Sequence, residues 1–173
     1  CHMANGNQHP RTGIQAFELM DVMPSLCYLC HEETTKSMLH APVEMGECTM
    51  CHSPHGSNAP GMLLNSPQSA MCAECHDMSM TEKKNVHMPL EDGSCNMCHD
   101  PHQSDNPYLL STAKPQLCKD CHYETEEESA LEYQHMPFAD DCINCHSSHS
   151  SDEGHLLKQS NPALCYECHG MES

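Results

Sequence analysis

The sequence predicts a largely irregular chain with little or no β-sheet, organised around something other than its own side chains. Three observations carry this. The 173 residues contain no Trp, two Phe and five Tyr, against 15 Cys and 14 Met, so the branched and aromatic side chains that fill an ordinary domain of this size are scarce. Twelve Pro, with Gly, Ser and Asn spread throughout, punctuate the chain with turns. A cysteine and histidine motif also recurs along the chain. Low hydrophobicity and a net charge of −18 would fit disorder, but the ordered spacing of the cysteines argues against it.

From the N-terminus, Cys1 is the one cysteine outside a pair. It reads either as a lipid-modified cysteine exposed by signal-peptide cleavage or, with His2-Met3, as a cloning remnant. No signal peptide is visible, so the sequence reads as mature or trimmed. No stretch approaches the eighteen or so apolar residues of a membrane-spanning helix.

The other fourteen cysteines form seven Cys-x-x-Cys pairs, each followed by histidine: Cys27/Cys30/His31, Cys48/Cys51/His52, Cys72/Cys75/His76, Cys95/Cys98/His99, Cys118/Cys121/His122, Cys142/Cys145/His146 and Cys165/Cys168/His169. This is the attachment signature of c-type haem. Two thiols one turn apart can bond the two vinyl groups of a haem, and the next histidine then lies under the iron. Zinc ribbons have no need of that histidine. Thioredoxin-like motifs occur once, beside a strand-helix pattern missing here, and disulfide frameworks scatter their cysteines unevenly. Seven histidines in seven motifs point to seven covalent haems c, with all fourteen cysteines as the attachment residues.

The motifs step by 21 to 24 residues within a longer period of about 47, seen at Cys48, Cys95 and Cys142. CHSPHGSNAPGMLLNSPQSAMCAECH matches CHDPHQSDNPYLLSTAKPQLCKDCH and CHSSHSSDEGHLLKQSNPALCYECH, and each is preceded by a histidine: His40-Ala41-Pro42, His87-Met88-Pro89, His135-Met136-Pro137. The whole reads as one multihaem domain, 1–173, with repeats at about 48–94, 95–141 and 142–173 after an incomplete unit at about 9–47. This pattern resembles the doubled-CXXCH modules of multihaem c-type cytochromes of the periplasm and cell exterior. The resemblance implies short α-helices that hold the attachment motifs and loops that wrap a chain of covalently bound haems. The motif at Cys27 departs from it by standing alone. The longest helix candidate, about Lys119 to Tyr133, is rich in Glu and has no breaker.

Seven proximal histidines call for seven distal ones. His40, His87 and His135 form one class by repeat position, and His55, His102 and His149 another; His9, 18 residues ahead of Cys27, joins the second class and completes the set. His2 and His155 read as spare polar residues. His55 cannot serve the haem of His52, because three residues span at most about 10 Å and must round the macrocycle. It therefore reaches a different haem. The spacing assigns His9, His55, His102 and His149 to the haems of Cys27, Cys72, Cys118 and Cys165, and His40, His87 and His135 to those of Cys48, Cys95 and Cys142. Met88 and Met136 are the rival distal ligands. The histidines suffice, and methionine is also good filler against flat apolar faces.

With every iron held by two histidines no position is open to substrate, so electron transfer, not catalysis, is the expectation. Two further readings stand beside a periplasmic or cell-surface carrier: a subunit of an extracellular haem filament, and a reductase with one opened haem. Acidic residues outnumber basic by 25 to 7, which disfavours nucleic acid and suits redox partners with basic docking patches. Membrane contact is expected only through a lipid on Cys1.

Overall fold

The structure, a computed structural model, describes residue 2 and residues 19–170. Among these residues the helices are four to six residues long and the strands two. No helix is long and apolar enough to cross a membrane.

The helices fall into two recurring kinds. Helices α1 (Ser25–Tyr28), α3 (Gln68–Ala73), α5 (Gln116–Lys119) and α8 (Ala163–Tyr166) each carry the first cysteine of a motif. Each starts behind a proline, Pro24, Pro67, Pro115 or Pro162, joined through a cis peptide bond. Helices α2 (Ala41–Glu44), α4 (Met88–Glu91) and α7 (Met136–Asp140) begin directly after His40, His87 and His135. There Pro42, Pro89 and Pro137 occupy the first turn, where a fixed φ and a missing N–H cost nothing. The histidine is left as an extended N-cap residue, with φ from −65° to −70° and ψ from 123° to 136°. The motifs at Cys48, Cys95 and Cys142 follow on single 3-10 turns.

The chain does not run as one helix from Lys119 to Tyr133. It forms α5, then the loop of Cys121 and His122, then α6 (Glu124–Ser129). Isolated helices of this length are marginal in water, and Glu124 and Glu128 repel each other one turn apart. The attachment motif takes the backbone instead, and Lys119 Nζ bridges the two pieces by donating to Ser129 Oγ at 3.3 Å.

Strands β1 (Met38–Leu39), β2 (Asn85–Val86), β3 (Gln103–Ser104) and β4 (Ser150–Ser151) pair antiparallel, β1 with β3 and β2 with β4, with Met38 opposite Ser104 and Asn85 opposite Ser151. Small as they are, they join one repeat to the next. Gln103 Oε1 accepts from the backbone N–H of Thr35 and Lys36, and Asp105 Oδ1 accepts from Ser37 N–H at 3.0 Å, across 68 residues. One unit on, Asp152 Oδ1 accepts from Lys84 N–H at 3.3 Å.

A conventional core is missing. Among the described residues Leu26 is the one buried apolar side chain, while Ser104, Ser150 and Ser151 are buried at the strand joints. Met45, Met88, Met97 and Met136 are more than half exposed.

Candidate metal centres

All seven motifs close the same way. The N–H of the motif histidine donates to the carbonyl of the first cysteine at 2.9 to 3.1 Å, in His31 to Cys27, His52 to Cys48, His76 to Cys72, His99 to Cys95, His122 to Cys118, His146 to Cys142 and His169 to Cys165. Two thiols and an imidazole therefore project from one turn. All fourteen thiols are free, as attachment to a haem requires.

The motifs at Cys48, Cys95 and Cys142 carry a further device. After each, the chain makes a tight turn, Pro60–Met62, Pro107–Leu109 or Gly154–Leu156, and folds back on the motif. Ser53 N–H donates to Met62 O and Leu64 N–H to Cys51 O, with the same pairs at Asp100–Leu109, Ser111–Cys98, Ser147–Leu156 and Lys158–Cys145. Each turn puts two successive residues in the left-handed region: Gly61 and Met62, Tyr108 and Leu109, His155 and Leu156. A two-residue turn with both φ positive has the handedness of a hairpin. It also aims one carbonyl at the motif histidine. His52 Nδ1 donates to Gly61 O at 2.7 Å, His99 Nδ1 to Tyr108 O at 2.8 Å and His146 Nδ1 to His155 O at 2.9 Å. With Nδ1–H spent on a carbonyl, Nε2 keeps its lone pair for a metal. His155 thus contributes its backbone carbonyl to this turn, at the position of Gly61 and Tyr108.

The fourteen motif cysteines differ in exposure. Cys30 and Cys168, the second cysteines of the first and last motifs, are exposed, as are Cys75 and Cys121. Cys51, Cys98 and Cys145 are instead half-buried. The kind of motif explains the difference. Where the chain folds back, it lays backbone against the second cysteine, through the bonds to the carbonyls of Cys51, Cys98 and Cys145. Cys30, Cys75, Cys121 and Cys168 instead follow the short helices α1, α3, α5 and α8, beyond whose last turn the cysteine stands uncovered. The thiols of Cys30 and Cys168 therefore differ from the covered ones in setting.

Five motif histidines each face a histidine from elsewhere in the chain. The pairs are His52 with His102, His76 with His40, His99 with His149, His122 with His87, and His169 with His135, at ring-centre separations of 5.8 to 6.2 Å and interplanar angles of 15° to 19°. Two imidazoles have little reason to seek each other, since protonation of both would be repulsive. The spacing has room for a shared metal: two bonds of about 2 Å, plus about 1 Å from each nitrogen to its ring centre, would give about 6 Å. Burial, then the proximity of His99 and His87, push His149 below the ordinary histidine range, which favours the neutral, ligating form. His87 Nδ1 also donates, to Ser148 O at 3.1 Å.

This pairing differs from the one the spacing suggested. His40, His87 and His135 face His76, His122 and His169, each pair within a unit counted from the histidine that opens it, not the motifs at Cys48, Cys95 and Cys142. His102 and His149 face His52 and His99 of the preceding unit, not His122 and His169. The strand joints are the cause. His40 N–H donates to His102 O at 3.0 Å and His87 N–H to His149 O at 2.8 Å, so each joint sets two such histidines side by side and sends them to different motifs. His55 faces His2, not His76, at 6.0 Å and 15°. His2 is therefore not a spare surface residue. Among the described residues His31 and His146 have no such ring partner. His9 and Cys1 lie outside the described residues. Met88 and Met136, on the first turns of α4 and α7, are 69% and 79% exposed, and the histidines beside them take the facing positions.

Neighbouring motifs touch through their thiols in chain order. Burial, and after it the closeness of Cys48, raises the Cys27 thiol; Cys72 is raised likewise beside Cys95, and Cys118 reaches about 11 beside Cys142. Cys51 feels Cys75, and Cys98 feels Cys121. The motifs thus adjoin alternately through first and second cysteines.

The doubled CXXCH motif family matches the chain three times, over residues 40–81, 87–127 and 135–173. The chain belongs to this family. Its motifs are those of a multihaem c-type cytochrome, with electron transfer as the associated role. The matched stretches start at His40, His87 and His135, so each encloses one intra-unit histidine pair. No curated protein matches the chain. The free thiol pairs, the closed motif turns and the imidazoles about 6 Å apart fit covalent haem c, and the missing apolar core fits a chain that packs on porphyrin.

Proposed function

We propose that the protein conducts electrons through seven covalently attached haems c arranged in sequence order, outside the cytoplasm of a prokaryote, where c-type attachment takes place. Haem c supplies a one-electron iron couple. The chain's residues fix where each iron sits and what surrounds it. The observation that carries the reading is the five facing histidine pairs, His52/His102, His76/His40, His99/His149, His122/His87 and His169/His135. Two strong ligands leave an iron no position for substrate, and two histidines keep its potential lower than methionine would. The carbonyl bonds to His52, His99 and His146 raise ligand basicity further. A net charge of −18 suits partners that dock through basic patches, with association weakening as salt rises.

Intact mass with haem quantitation tests the count, and electron paramagnetic resonance tests the ligation. Seven haems with at least five low-spin irons are expected. Fewer than five low-spin irons would refute the paired-histidine reading.

A second reading, a subunit of a serial conduit or filament, draws on one observation. His52 and His99 each face a histidine of the following unit, whereas His146, in the same turn geometry, has no such partner among the described residues. A further unit or a second copy would supply it. Light scattering that shows a particle of fixed, monomeric size would exclude self-assembly. Carbon monoxide binding at His146's iron with turnover of an oxyanion would instead favour a reductase.

A further inference from the structure

We infer that His2 and His55 form an eighth haem site, with Cys1 as a thioether ligand, His2 proximal and His55 distal. The site rests on the haem reading above and deepens it. His2 follows a cysteine directly, as His52, His99 and His146 do. It makes an isolated antiparallel bridge to Leu19, and those three histidines make the same bridge to Leu63, Leu110 and Leu157. In each of the three the bridge belongs to the turn that follows a motif of the Cys48 kind. His55 holds in its unit the place of His102 and His149, which face the motif histidines of the preceding unit. It faces His2 with the separation and angle of the other pairs, 6.0 Å and 15°. Cys1-His2 thus occupies the second half of an attachment motif. In the seven complete motifs another cysteine stands three positions earlier.

The chemistry is addition without oxidation. The Cys1 thiol adds across one haem vinyl group, a C–S bond forms, the thiol hydrogen passes to the other vinyl carbon, and nothing leaves. A complete motif adds a second thiol to the second vinyl in the same way.

The test places Cys-Ala-Asn ahead of Cys1 to complete the motif and produces both forms with a c-type maturation system. Intact mass should show eight haems in the extended chain, the eighth low-spin, and an extended chain that carries only seven overturns the site. His55→Ala in the extended chain should convert one iron to high-spin. That signal should vanish when Cys1 and the added cysteine are both changed to Ser. An extra haem that is high-spin with His55 present overturns the site, because a haem hung on an unstructured end would behave so. A high-spin signal from His55→Ala that survives loss of the Cys1 motif also overturns it, by assigning His55 to another iron. Fewer than seven haems in the parent would instead sink the electron-transfer reading on which the site rests.

Discussion

Replacing His40 by alanine tests the pairing most directly, because sequence spacing and structure assign it to different irons. The His40 ring centre lies 5.9 Å from that of His76 at 16°. Alanine ends at Cβ, so the nitrogen about 2 Å from a shared metal is lost, and a methyl group offers no lone pair. The neighbour best placed to substitute is His102, tied to His40 through the backbone at 3.0 Å, but its ring already faces His52 at 5.8 Å. One iron in seven should therefore become high-spin, and the reduced protein should bind one more equivalent of carbon monoxide than its parent. Location decides the matter. Combined with Cys72→Ser and Cys75→Ser, which remove the haem above His76, His40→Ala should add no high-spin signal. Combined with Cys48→Ser and Cys51→Ser, it should add the full equivalent. The reverse outcome would refute the intra-unit pairing.

Other perturbations probe the supports. Tyr108 is 79% exposed and held at φ 60°, where a side chain costs about 1–2 kcal/mol and where the sister turn has Gly61. Tyr108→Gly should raise the denaturation midpoint by about 1 kcal/mol equivalent, with the visible spectrum unchanged. Gly46 has φ 75°, and an added Cβ would stand 2.8 Å from Pro24 Cδ, a rigid ring. Gly46→Ala should cost about 2 kcal/mol or more in chemical denaturation, and a loss below about 0.5 kcal/mol would count against the close contact. Asp141 accepts from Lys114 Nζ at 2.7 Å and from Ile143 N–H. Burial pushes its carboxyl up, but the Lys114 bond and then the Ile143 bond outweigh this and hold it below the ordinary range. A depressed carboxylate stabilises above its unfolded value of about 3.9 and loses that contribution as pH falls through the folded value. Asp141→Asn should therefore cost about 1 kcal/mol at neutral pH and nothing once the parent's carboxyl is protonated. Thermal melts across that range check it.

The motif turns were legible because covalent attachment would demand fixed spacing, and all seven Cys-x-x-Cys-His runs close in the same way. That spacing is silent on cover, so nothing in it separated exposed Cys30 and Cys168 from half-buried Cys51 and Cys98. The two classes of second histidine were legible from repeat position alone. Their partners were not. Pairing depends on which backbone lies beside which, and that is set by two-residue strands whose facing residues are 64 or 66 positions apart, too short to leave a hydrophobic alternation. The left-handed turns were hidden because only one of three has the glycine that would announce it; Tyr108 and His155 stand at the same place. His2 escaped for a similar reason. Its Cys-His dipeptide matched Cys51-His52, but a longer segment separates His2 from Leu19 than His52 from Leu63, which blurs the repeat. The helix expected over Lys119–Tyr133 failed because composition speaks for the residues and not for the cofactor motif set among them.

The overlap of one unit with the next also bears on how such a chain can lengthen or shorten over evolutionary time. Under the proposed haem reading, each unit would complete one of its irons alone and lend a histidine backward to complete another, like shingles that cover the row below. An insertion of whole units at any joint preserves every loan, so length can change in steps without redesign of a single site. A cut is different: wherever it falls, it strands one borrower whose lender is gone. Under that reading, the borrower's side of such a cut is where contact with another molecule has most to offer.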